Sequence, residues 1–181
     1  MNKPTQTELK IVTIITKFHN QYLTNKKDYK TIDIFKLLHN NRPHGAISGF
    51  SQQSDPEIEN EWLLDFYWYI PNPPKPVSKA DKWNYFDGLD LACEVEWSYP
   101  TLTNFHYLLT DLQKLMAIRA NTYVFITQLK KEADLDVMVN WLQERLCMNE
   151  FRCLFLVLPV YSRPDNELSA FIIENNTFNK I

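Results

Sequence analysis

The stretch "WLLDFYWYI", residues 62 to 70, holds one charged side chain, Asp65, among eight apolar or aromatic ones. A lone carboxylate taken out of water costs several kcal/mol unless something compensates it. The compensation is a hydrogen-bonding partner on a neighbouring strand, an arginine, or a metal ion. A second stretch, "LDLACEVEWS", residues 89 to 98, puts Leu89, Leu91, Cys93, Val95 and Trp97 on one parity and Asp90, Ala92, Glu94, Glu96 and Ser98 on the other. Side chains alternate across a strand, so a β conformation gives one apolar face and one face with three carboxylates. Glu94 and Glu96 would then be separated by about 6.6 Å of backbone, with a paired strand about 4.8 Å away. If that neighbour carries Asp65, three carboxylates converge, and like charges so close raise one another's pKa unless a cation sits among them. Mg²⁺ or Mn²⁺ suits such a place, because a hard ion takes a few carboxylate oxygens, keeps waters and leaves room for phosphate. The other reading of Glu94 and Glu96 is the water-facing side of an antiparallel hairpin. Asp90, after "FDG", reads as a strand-entry or turn residue.

These residues need elements to hold them. Thr5 to Tyr22 reads as a first helix, with Thr5 and Glu8 as a capping box and Leu9, Val12, Ile15 or Thr16, and His19 at helical spacing. Thr31 to Asn41 reads as a short second helix, and "RPHGAISGF" as a loop through Pro43, Gly45 and Gly49. Glu57 to Ile70 is expected to be a long strand, buried from Trp62 onward. The connection 71–88 is too rich in proline to pair as a central strand. Its Trp83 and Tyr85 either pack locally or stack on a base. After the alternating strand 89–98, Phe105, Leu108, Leu109, Leu112, Leu115 and Met116 mark one face of a helix over 103–120. The run 122–127 predicts a buried strand, 134–146 a helix, 151–160 a buried strand and 167–175 an edge strand. The order α-α-β-β-α-β-α-β-β describes an α/β domain with a mixed central sheet flanked by helices on both faces.

With 181 residues, 45% of them hydrophobic, the chain suits one domain: a helical, basic part over 1–50 and a sheet core over 57–175. It lacks a long apolar run and an apolar N-terminal core, which predicts a soluble, cytoplasmic protein without a membrane segment. Three cysteines without CxxC spacing predict buried, reduced thiols rather than a disulfide framework or a zinc site. His19, His39, His44 and His106 read as surface or capping residues. The net charge of −3 is uneven: eight Lys/Arg against three Asp/Glu over 1–50 give +5, and eleven against nineteen over 51–181 give −8. A basic part beside an acidic part fits a chain that holds a polyanion with one and a metal with the other, and it also fits an ordinary solvated helical surface. No P-loop, dinucleotide-binding glycine pattern or serine-hydrolase elbow occurs.

An aspartate on one strand, a variable hairpin, Glu-x-Glu on the next strand, then an amphipathic helix and a buried strand resembles the PD-(D/E)XK nuclease superfamily, with its restriction endonuclease-like three-layer fold. The residues that carry the resemblance are Asp65, then Glu94, Val95 and Glu96, then "DLQKLMAIRANTYVFIT". It covers about 57–128 in detail and the rest in element order. One departure is plain: Glu96 stands where lysine is usual. Some members of the superfamily carry Glu or Gln there, and in others an adjacent helix supplies the lysine. Lys114, three residues after Asp111 and seven after Tyr107, lies off the main apolar stripe and is the candidate; Gln113 resembles the polar helix residue found near such sites. The resemblance implies a Mg²⁺- or Mn²⁺-dependent phosphodiesterase, with Asp65, Glu94, the Val95 carbonyl and Glu96 as metal ligands, and Asp65, Glu94, Glu96, Lys114 and Gln113 as the catalytic set. The partner would be nucleic acid, DNA ahead of RNA, contacted through its phosphates by Lys10, Lys17, Lys26, Lys27, Lys30, Lys75, Lys79 and Lys82. The alternative is the same fold with an inactive site, acting as a protein- or nucleic-acid-binding module, with a homodimer or a protein partner compatible with either reading.

Overall fold

The two most apolar runs form the middle of the sheet. β4 (Tyr123–Leu129) and β5 (Arg152–Pro159) pair in parallel, with Val124 opposite Leu154. Strands covered on both faces can be apolar along most of their length, and these are, apart from Arg152 at the start of β5 and Thr127 and Gln128 toward the end of β4. The computed structural model describes residues 3–25, 30–50, 64–70, 88–96, 105–129, 134–146, 151–159 and 167–181. On one side of the central pair, β3 (Leu91–Glu96) joins β4 in parallel, β2 (Phe66–Tyr69) joins β3 antiparallel, and β1 (Ile47–Phe50) closes that edge. On the other side, β6 (Ser169–Glu174) and β7 (Thr177–Lys180) add antiparallel strands. The seven strands follow one another in chain order across the sheet.

Parallel neighbours need crossover connections, and α3 (Phe105–Met116) and α4 (Asp134–Arg145) supply the two required here. Both pack on the same face, where Leu108, Leu112, Leu115, Met138 and Leu142 meet Ala92, Phe125 and Phe155. The opposite face is covered by α1 (Gln6–Asn25) and α2 (Thr31–Asn40), whose Ile11, Ile15, Phe18 and Phe35 pack on Phe66, Leu91, Cys93 and Val95. The chain is therefore an α/β protein with a mixed sheet between two helical layers. Among the described residues no helix is long and apolar enough to cross a membrane.

Several expectations are corrected. The buried face of α1 is Glu8, Ile11, Ile14, Ile15, Phe18 and His19, while Leu9 is 49% exposed. A charged residue can take the inward position because Arg152 on β5 meets it. Glu8 closes the capping box with Thr5 in both directions, at 2.6 and 3.2 Å, and its carboxylate also receives Arg152 Nη2 at 2.9 Å. His19 is buried, not a surface residue. The segment read as a loop contains β1, so the N-terminal part is not purely helical; its Gly49 lies opposite Tyr67, whose ring covers it. The stretch 167–175 is not an edge, since a two-residue turn at Asn175 and Asn176, both at positive φ, sends the chain back as β7 and extends the sheet to Lys180. Leu89 leaves the parity of Leu91, Cys93 and Val95 and packs in the other core, because its backbone bends at Asp90 and bridges Ala120. Cys93 and Cys153 are buried free thiols; Cys147 lies outside the described residues.

Candidate functional site

Asp65 immediately precedes β2 rather than lying within it. The β2–β3 register pairs Phe66 with Cys93, so one step back sets Asp65 opposite Glu94. Opposed residues of an antiparallel pair share a face, and here it is the face under α3. Each acid is held by the other's strand: Val95 N–H donates to Asp65 Oδ2 at 2.9 Å, and Asp65 N–H donates to Glu94 Oε1 at 3.3 Å. Asp65 is half-buried and Glu94 only 1% exposed. Cross-strand backbone donors are thus the first compensation for the lone acid.

The second comes from α3. Its strip facing the carboxylates presents Asp111 and Lys114, one helical turn apart. Lys114 Nζ lies 2.6 Å from Asp111 Oδ1 and 3.7 Å from Glu94 Oε2. Glu96 lies near enough to the Asp111 carboxyl to add to the rise in its pKa. Thr127, at the end of β4 beside Glu96, donates its hydroxyl to the Glu96 carbonyl at 2.9 Å and so fixes the end of β3.

The charges perturb one another. Burial first, then the Asp65 carboxylate, push Glu94 up to about 8; Lys114 opposes this and Asp111 adds to it. Asp111 is raised by burial, with Lys114 pulling it down and Glu96 adding to the rise. Burial pulls Lys114 down, but Asp111, Glu94 and Asp65 overcome this and hold its ammonium more firmly protonated than usual. Among the described residues, Lys114 is the cation that pairs with this group of carboxyls.

The structure brings together Asp65, Glu94, Val95, Glu96 and Lys114 from the expected set. Gln113 is exposed on α3, one position off the Asp111–Lys114 strip. Asp90 takes a structural role, accepting from Ile70 N–H at 2.7 Å and from Asn121 Nδ2 at 3.1 Å. Lys10 and Lys17 belong to α1, across the sheet from the carboxylates, and Lys10 Nζ donates to the Asn41 carbonyl at 3.0 Å. Lys30, exposed, precedes α2 in the same helical layer. Lys26, Lys27, Lys75, Lys79 and Lys82 lie outside the described residues, as do Trp62, Trp83, Tyr85 and Trp97. Sequence reasoning did not single out Asp111 or Thr127. Acids on helices usually face water, and a threonine suits any strand, so neither gave a signal; only the register makes them neighbours of Glu96.

The donor set has the chemistry of a hard-cation site: carboxylate oxygens of Asp65, Glu94 and Glu96 and the Val95 carbonyl. Among the described residues no three His, Cys, Asp or Glu side chains are grouped as metal ligands. Lys114 is the cation beside Glu94, and a buried acid beside another carboxylate is what a divalent ion would relieve. The residue types suit such an ion, and a place for it at Glu94 requires Lys114 to give way. No family profile, curated protein or solved structure matches the chain.

Proposed function

We propose that this chain is a divalent-metal-dependent nuclease with a restriction endonuclease-like arrangement, hydrolysing phosphodiester bonds of DNA in preference to RNA. One observation carries the reading: Asp65 and Glu94 lie opposite each other on adjacent strands, each carboxylate held by the other strand's backbone, with Lys114 brought to them from the next helix. Such a geometry needs the alternating strand, the isolated acid and the helix to be in register together, and the sequence resemblance expected that combination. Asp65, Glu94, Glu96 and the Val95 carbonyl would hold Mg²⁺ or Mn²⁺. When bound, the ion would lower the pKa of a bound water and neutralise charge on the scissile phosphate.

The chain's own residues would do the rest. Val95 N–H fixes the Asp65 carboxylate, and Asp65 N–H fixes that of Glu94, which orients the oxygens of both before substrate arrives. Lys114 supplies a positive charge that can meet a phosphate oxygen as negative charge develops there. Glu96, less buried than Glu94, would be a second ligand or would accept a proton from an attacking water. The lysines of the first helical layer are not adjacent to this site, so phosphate contacts from Lys10, Lys17 and Lys30 would require a substrate that reaches round the sheet.

Incubating the protein with linear duplex DNA, single-stranded DNA and RNA, with Mg²⁺, Mn²⁺ or chelator, tests the reading. Cleavage that needs metal and is lost in Glu94→Gln and Asp65→Asn supports it; cleavage equal in both variants, or none with any substrate, rejects it. A second reading has its own observation. Lys114 already pairs with Glu94 and Asp111, and Glu96 replaces the usual lysine, which together suit an inactive site that binds nucleic acid or a protein partner, or forms a homodimer. Binding that persists in chelator and is indifferent to Glu94→Gln favours that reading.

A further inference from the structure

Asp111 has no role in the pattern that drew attention to Asp65, Glu94 and Glu96, yet its surroundings are unusual for a helix acid. Its side chain is only 13% exposed and holds Lys114 at 2.6 Å, close enough to Glu94 and Glu96 to be subject to like-charge repulsion. An Asp–Lys pair at this spacing that served only helix stability would point into water, where it contributes little. The side chain of Lys114 is 38% exposed, and a lysine with that much freedom keeps its ammonium in solvent unless an anchor holds it. Asp111 is that anchor: its Oδ1 is 2.6 Å from Lys114 Nζ, against 3.7 Å for Glu94 Oε2.

We infer that Asp111 is a positioning residue, which holds the Lys114 ammonium at the edge of the carboxylate site where a phosphate oxygen would meet it. The inference rests on the proposed nuclease reading for its consequence in catalysis, but the positioning itself is observable in the metal-free protein. Asp111 draws the lysine toward α3, so that Glu94 can take an ion without the lysine being expelled into solvent. Asparagine is nearly isosteric but lacks the charge, so Asp111→Asn removes the anchor with little change of shape.

Two measurements test this. In the metal-free protein, the ¹⁵N–¹H signal of the Lys114 ammonium, assigned by its absence in Lys114→Met, should be protected from solvent exchange in wild type and should become an ordinary mobile lysine signal in Asp111→Asn. In cleavage assays, a misplaced ammonium should lower kcat by about 10²-fold, with KM and the Mn²⁺ dissociation constant changed by no more than about twofold. In the Lys114→Met background the same change should have no further effect, because Asp111 acts through Lys114. Asp111→Glu should restore part of the rate. An unaltered Lys114 signal in Asp111→Asn overturns the inference, as does a Mn²⁺ affinity that weakens in step with kcat, which would make Asp111 a ligand. If Asp111→Asn does not fold, Asp111→Glu and Lys114→Met still decide: a Lys114 signal as mobile in wild type as in the free amino acid rejects the anchor. Loss of nuclease activity altogether, with the Lys114 signal still anchored, rejects the functional reading and leaves the positioning intact.

Discussion

Replacing Glu94 by glutamine should make the metal-free protein more stable above neutral pH, although it removes a central side chain of the site. Glu94 is 1% exposed and faces Asp65 across the β2–β3 pair, and these surroundings push its pKa up to about 8 from the ordinary 4.5. The folded state therefore keeps the proton across the window between those values, while the unfolded state releases it at the bottom of it. With more protons bound in the folded state, stability falls as pH rises through the window. Glutamine cannot ionise, so the variant escapes this decline. At about 1.4 kcal/mol per pH unit the window sets a ceiling of about 5 kcal/mol; because Asp65, Asp111 and Lys114 respond together, about 2 kcal/mol is the expected gain. For a chain of this size that is a rise in Tm of about 4–8 °C near pH 8.5. The assay is thermal unfolding of both proteins in chelator from about pH 5 to about pH 9. A variant less stable than wild type at the alkaline end, or a parallel pH dependence in the two, would refute the claim that Glu94 is an acid buried against its own charge.

Lys114→Met should lower kcat by about 10²–10³-fold while the protein remains folded, measured by single-turnover cleavage with circular dichroism as the control. Glu8→Gln should cost about 2–4 kcal/mol near pH 7 by leaving Arg152 without its main carboxylate. The Glu8 pKa is lowered because Arg152 and the Thr5 donors outweigh burial, so its contribution is present above the ordinary carboxylate range and is lost as pH falls through the lowered value; urea unfolding near pH 3 should show a smaller difference between the two proteins. Gly49→Ala should cost about 1–3 kcal/mol, since a Cβ there would come within 2.8 Å of Tyr67 Cε1; Gly49→Ala combined with Tyr67→Ala should relieve most of the clash.

What was legible in the sequence follows from how each feature is determined. The apolar runs of β4 and β5 and the spaced leucines of α3 are set by burial alone, and burial is written in residue type. Asp65 and Glu94 were expected to converge only if their strands were neighbours, and it is the β2–β3 register that sets them opposite each other, with Asp65 just ahead of β2. The edges were harder. β1 and β7 are short and carry serine, glycine, threonine or asparagine, and they are strands because β2 and β6 offer them backbone partners, β7 after a turn at Asn175 and Asn176. The inward face of α1 was misjudged because Glu8 is buried against Arg152, 144 residues away, and no local pattern announces such a partner. Asp111 shares that difficulty in part: Lys114 is on the same helix, but the acids it lies near, Glu94 and Glu96, are on β3.

The most direct test of the central claim, that Asp65 and Glu94 together form a divalent-cation site, is the thermal stability of the protein during a Mn²⁺ titration. A ion bound by the folded state alone adds about 2.7 kcal/mol when present at about 100 times its dissociation constant. Wild type should show a saturable rise in Tm, and the Asp65→Asn, Glu94→Gln double variant should show none. A flat titration in wild type, or the same rise in both proteins, would contradict the account.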